Sequence, residues 1–229
     1  MSTMEKLIDV LKTFEKEITY SITKDRLQKM FKRNLAPAFL YGGYIQVRGE
    51  YKIYIKTVEF YFHSEITKGI HDPIVYHRNG RYMEKVPYFP IMTLNAHNSG
   101  FDITFESENK NYRASALIRA YEVMDEKDQF LVWNKEKNQF EEPKNQSEPP
   151  NNGVNTQSTY LYYLLNGFSL GNDNSIKWID EPRSKGTITE NIRQNVFKSE
   201  DEFVYKKIKG KKCDRKWSFT REDNVFTKQ

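Results

Sequence analysis

Apolar residues recur at helical spacing at the start of the chain. Leu7, Val10, Leu11, Phe14 and Ile18 mark one face of a helix over residues 4–18. A second helix is predicted over residues 23–34, with Leu27, Met30 and Phe31 on one side and the Thr23 hydroxyl as its N-cap. Pro37 follows, and the pattern changes. Residues 38–63 read as two or more strands joined by short turns at Gly42-Gly43 and Arg48-Gly49-Glu50. Residues 64–85 are polar, are interrupted by Gly69, Pro73 and Gly80, and predict a long loop. Residues 89–107 predict a hairpin: an apolar strand, an Asn-rich turn ending at Gly100 and a second strand. A third strand over 112–124 is apolar through Ala116, Leu117 and Ile118. Residues 141–157, rich in Pro, Asn and Gln, read as an internal linker. The helix predicted after it is capped by Ser158 or Thr159 and closed by Gly167, and one or two late strands surround Trp217 and Phe219. No internal repeat is visible. The order, helices first and then strands, predicts an α+β fold: a helical segment over 1–34, the main body over 35–220 and a tail over 221–229.

Composition changes this picture little. Of the 229 residues 38% are hydrophobic, which is low, but 14% are aromatic, and large rings supply enough buried area for a folded core. The net charge of +5 suits an anionic partner, nucleic acid first, without requiring one. Cys213 is the single cysteine, so neither an intrachain disulfide nor a cysteine-rich zinc motif can form, and a reducing cytoplasmic setting is expected. The charged N-terminal stretch reads as neither a signal peptide nor a membrane span.

One strand raises a chemical question. Glu is depleted in strands, yet Glu59 stands in the middle of Thr57–Ser64 among aromatic and β-branched residues. Alternation puts Ile53, Ile55, Thr57, Glu59, Tyr61 and His63 on one face, and Tyr54, Lys56, Val58, Phe60 and Phe62 on the other. A carboxylate, a phenol and an imidazole in a row describe either a wet sheet edge, with Glu59 paired to a nearby lysine, or a site. Arg119, in an apolar strand, favours the site, because a buried guanidinium needs a partner to offset its desolvation. His63, His71, His77 and His97 also cluster in sequence, with Asp72 beside one of them. That set suggests a divalent-ion site and a metal-dependent hydrolase, although no pair has the i, i+4 helical spacing of common zinc enzymes.

The stretches "LAPAFLYGGYIQVRGEYKIYIKTVEFYF", "HDPIVYHRN" and "ALIRAYEV", in that order around a hairpin, resemble the alkyladenine (3-methyladenine) DNA glycosylase family. The counterparts of its pattern are Leu35-Ala36, Leu40, Glu59-Phe60-Tyr61, His71, Arg78-Asn79 and the run Leu117 to Glu122. "TYLYYLLNGF" sits where that family has its late helix, and "CDRKWSFT" resembles its closing strand, so the likeness covers about residues 33–220. The chain departs from the pattern in having no Tyr at the hairpin turn, no Gly-Pro-Xaa-Lys segment, and Phe60 where a small Ala is usual.

The resemblance implies a single domain with an antiparallel sheet core, N-terminal helices and a protruding β-hairpin. It implies a monofunctional glycosylase that hydrolyses the N-glycosidic bond of an alkylated or deaminated purine after flipping it from duplex DNA. Glu59 would activate the water, and Arg119 would hold that water or an adjacent phosphate. Tyr61 and His71 would sandwich the base, His63 would line the same pocket, and Asp102 would stand in for a base-selecting Asn. Arg78, Asn95, His97 and, in the basic run 206–212, Lys211 would contact DNA. The expectation is a monomer that needs no cofactor or metal and no membrane. The alternative is an inactive nucleic-acid-binding module of the same fold.

Overall fold

The structure, a computed structural model, describes residues 5–64, 70–72, 75, 87–97, 100–134, 136–137, 139–143, 176–194, 196–199, 202–204 and 215–223. The linker from residue 144 onward, the helix expected after it, and His77, Arg78, Lys211 and Cys213 lie outside the described residues, while Glu141, the first residue assigned to the linker, ends a strand.

The chain enters through α1 (Leu7–Glu17) and α2 (Lys24–Met30), whose N-cap Thr23 accepts the Arg26 N–H at 3.2 Å. A π-helical turn, Phe31–Leu35, then leads into α3 (Ala36–Tyr41). The helical path therefore continues to Tyr41 instead of giving way to strand after Pro37. Pro37 falls in the first turn of α3, where a missing N–H and a fixed φ are well tolerated. Gly42-Gly43 is likewise not a strand–strand turn but the join of α3 to the first strand. Two close backbone approaches require glycine there. A Cβ on Gly42 would lie 2.2 Å from the Ala38 carbonyl oxygen, and one on Gly43 only 1.9 Å from that of Ile179.

The strands are β1 (Gly43–Val47), β2 (Tyr51–Ser64), β3 (Leu94–His97), β4 (Gly100–Thr104), β5 (Tyr112–Asp125), β6 (Phe130–Asn134), β7 (Gln139–Glu141), β8 (Ile176–Asp180), β9 (Ile188–Asn191), β10 (Phe197–Ser199), β11 (Glu202–Val204) and β12 (Ser218–Arg221). All but β10 and β11, which pair with each other, belong to one antiparallel sheet. Its spine is the long pair β2–β5, running from Tyr51↔Asp125 to Ser64↔Tyr112. The other edge of β2 is shared. β1 takes the first residues, and β12 takes the middle, with Ser218 opposite Glu59. β3 and β4 form the predicted hairpin alongside β5, and the α+β class holds. Arg221, assigned from sequence to the tail, is the fully buried last residue of β12.

One sheet face packs on the helices. Phe60 stacks on Phe31 at 4.8 Å between centroids and meets Phe39 at 5.7 Å, while Phe62 stands edge-on to Phe14 at 6.2 Å. Phe60 thus points away from Glu59, and its size serves the apolar core. α1 belongs to the same core as β2 and β5. A buried polar knot ties the end of β12 to the rest: Arg221 bonds the Glu122 carboxylate, the Ile55 carbonyl at 2.9 Å and the Asp223 carbonyl at 2.5 Å. Tyr41 donates to Asp223 at 2.5 Å, and burial, then that carboxylate, push its phenol up to about 12. No helix among the described residues is long and apolar enough to cross a membrane.

Candidate functional site

The face of β2 opposite the helices carries Glu59, Tyr61 and His63, and all three are buried. Residues paired across an antiparallel sheet point to the same side. Register therefore places Asn95, Asp102, Leu117, Glu59, Ser218 and Asn191 in one row across β3, β4, β5, β2, β12 and β9. The pairing of β2 with β5 shifts beside this row: Ile55 faces Tyr121, Thr57 faces Ala120 and Val58 faces Ile118, and Lys56 and Arg119 fall outside the ladder register. The shift exchanges the faces, so Ile53 and Ile55 join the core of Phe60 and Phe62, whereas simple alternation predicts that they share the face of Glu59. Such irregularities re-aim side chains. Here the Arg119 side chain reaches Glu59.

Glu59 is 0% exposed and accepts three hydrogen bonds. Arg119 Nε donates to Oε2 at 2.8 Å, the Tyr61 hydroxyl donates to the same oxygen at 3.0 Å, and the Gln194 N–H donates to Oε1 at 2.9 Å. Arg119 also reaches the Gln194 carbonyl at 3.4 Å, so the guanidinium spans both the carboxylate and the turn that caps it. Burial, and after it the Glu59 charge, push the Tyr61 phenol well above its usual range, which keeps it a donor. A carboxylate offers about four acceptor positions. Three are used among the described residues, so Oε1 keeps one acceptor position.

No family model, curated protein or solved structure matches the chain.

Beyond Glu59 lies a second charged group, in which Asp72, set beside the histidines as a metal ligand in sequence, is held by arginines that sequence reasoning missed. Asp72, also 0% exposed, pairs with Arg193 at 2.5 Å and with Arg215 at 3.9 Å. The Arg193 guanidinium lies 4.5 Å from the Tyr61 ring centroid and 5.2 Å from that of Trp217, and Arg215 lies 4.6 Å from Trp217. The Asp72 N–H donates to Nδ1 of His63 at 2.9 Å, which puts the His63 ring proton on Nε2. His71 is half-buried, its ring edge-on to His63 at 5.5 Å, and its carbonyl accepts from Arg215 at 3.3 Å.

The structure thus joins Glu59, Arg119 and Tyr61 directly and links His63 and His71 to them through Asp72 and Arg193. Asp102 is buried two strands from Glu59, behind Leu117, and accepts from Ser115 Oγ at 3.1 Å. Asn95, opposite Asp102, is half-buried at the hairpin, and His97 is the last residue of β3. Among the described residues no three His, Cys, Asp or Glu side chains are grouped to hold a metal ion, and His77 lies outside them. The ring face of Tyr61, expected to stack on a base opposite His71, faces the Arg193 guanidinium.

Proposed function

We propose that the chain is a DNA N-glycosylase that releases an alkylated or deaminated purine by hydrolysis, with Glu59 as the general base. The observation that carries this reading is the buried Glu59 carboxylate, paired with Arg119 at 2.8 Å and retaining one acceptor position. A water bonded there gives its proton to Glu59 as its oxygen attacks C1′ of the sugar, and the electrons of the C1′–N bond leave with the base. Arg119 and the Tyr61 hydroxyl fix the carboxylate so that it need not reorganise as charge develops. General-base assistance of this kind contributes about 10²–10⁴-fold in rate. The excess of basic over acidic residues, 36 against 31, agrees with a polyanionic substrate. No lysine adjoins Glu59 among the contacts described, which favours simple hydrolysis over a Schiff-base step.

A second reading, an inactive nucleic-acid-binding module, draws support from the capping of Glu59 by Gln194 and the covering of Tyr61 by Arg193. Single-turnover incubation with duplexes containing hypoxanthine, ethenoadenine or 3-methyladenine separates the two. Release of base by the wild type that is lost in Glu59→Gln supports the enzyme. Tight DNA binding with no release from any of the three supports the module.

A further inference from the structure

We propose that the Tyr61 ring and the Asp72 carboxylate form a binding site for a flat cation carrying two neighbouring N–H donors, and that Arg193 is its built-in occupant. The class includes amidinium and guanidinium groups and protonated or alkylated amino-heteroaromatic rings. The inference rests on the glycosylase reading for its biological ligand, since it places over Tyr61 the ring on which Glu59 acts.

The Tyr61 ring is fixed in orientation by its hydroxyl bond to Glu59 at 3.0 Å. A planar cation already lies over that ring at 4.5 Å, which shows that the gap is the right depth for a stacked, electron-poor plane. The same cation donates through one nitrogen to Oδ2 of Asp72 at 2.5 Å and to the Phe60 carbonyl at 3.2 Å. Asp72 is buried, and among the described residues its Oδ1 has no hydrogen-bond partner. An orphaned buried acceptor is costly, and a carboxylate is best met by two parallel N–H bonds. Arg193 in this pose supplies Asp72 with one, whereas a ligand with paired donors supplies both.

Arg193 is also placed to leave. It is 2% exposed, but it springs from a turn between β9 and β10 in which Ile192 is 43% exposed and Gln194 is exposed too. The side chain can swing outward about its own torsions while the Gln194 N–H keeps its bond to Glu59. Ligand and Arg193 therefore compete for one place, and apparent affinity is reduced by the fraction of molecules in which Arg193 is out.

Benzamidine, a flat amidinium, is the probe, with neutral benzamide as its control. Binding is measured by calorimetry on the full chain, with no nucleic acid present. Arg193→Ala is expected to bind benzamidine about tenfold or more tighter than wild type. Benzamide should show no such gain, and Asp72→Asn or Tyr61→Leu in the Arg193→Ala background should abolish it. Equal affinity of wild type and Arg193→Ala, or an equal gain for benzamide, overturns the proposal. If Arg193→Ala does not fold, Arg193→Lys carries the test, because it keeps the charge but gives up the flat stack. It should bind several-fold tighter than wild type, and no gain there is equally fatal. Benzamidine binding without base excision would remove the glycosylase reading and keep the site, and excision without the binding gain would do the reverse.

Discussion

Replacing Arg119 with Met removes the charge opposite Glu59 while keeping most of the aliphatic stem that fills the space between the strands. Glu59 then retains two neutral donors, the Tyr61 hydroxyl at 3.0 Å and the Gln194 N–H at 2.9 Å. With the carboxylate 0% exposed and the arginine side chain 5% exposed, solvent cannot take over the lost role. Breaking a buried pair from one side costs about 3–5 kcal/mol, mostly the penalty of an uncompensated charge. Removing both charges costs much less, because a neutral amide at position 59 leaves no uncompensated charge: its oxygen accepts the Gln194 N–H and its NH2 donates to the Tyr61 hydroxyl oxygen. Equilibrium urea unfolding at pH 7, followed by tryptophan fluorescence, measures both. Arg119→Met should lose about 3–5 kcal/mol, and adding Glu59→Gln should return about 2 kcal/mol or more, as contacting residues couple. A single-variant loss below about 1 kcal/mol, the range of solvent-exposed pairs, or a double variant equal to the sum of the singles, would refute the buried-pair account.

Other consequences are equally direct. Gly43→Ala puts a methyl group 1.9 Å from the Ile179 carbonyl oxygen, so β1 and β8 must separate, and urea unfolding should show a loss of about 1–3 kcal/mol. Phe60→Ala empties the space between Phe31, Phe39 and Phe219 and should cost about 3–5 kcal/mol in the same assay. Tyr41 gives the protein an alkaline limit. Its phenol titrates near 10 in the unfolded chain and at about 12 in the fold, so its contribution is intact below pH 10 and is lost between pH 10 and 12. Urea midpoints measured from pH 9 to 12 should fall less steeply for Tyr41→Phe than for wild type, and parallel curves would contradict the assignment.

The site was legible where local pattern carried it. From Val58 onward β2 alternates, so one parity holds Glu59, Tyr61 and His63 and the other holds Phe60 and Phe62, as the two faces of the sheet do; the register shift that reverses the parity before it left no mark in the sequence. Arg119 was legible because a charge inside an apolar strand needs a partner, and the partner is Glu59. Arg193, Gln194 and Arg215 carried no such signal, and Asp72 was visible only as a neighbour of histidines. Asp72 and Arg193 are 121 residues apart and lie outside the helices and strands, so only the folded topology brings them together. The path through Pro37 depended on the π-helical turn before it, because proline at the start of a helix and proline at the end of one look alike in sequence. Gly42-Gly43 carried a turn signature, but its glycines answer to backbones approaching from α3 and β8. Strands β6 to β9 are short and half-exposed, and their alternation is too brief to stand out.

The most direct test of the central claim is single-turnover base release from a duplex containing 3-methyladenine, comparing wild type with Glu59→Gln under matched binding. The account predicts release by the wild type and a fall of about 10²-fold or more in the variant, the general-base contribution, with DNA affinity preserved. Equal rates in the two proteins, or no release by the wild type at saturating enzyme, would contradict it.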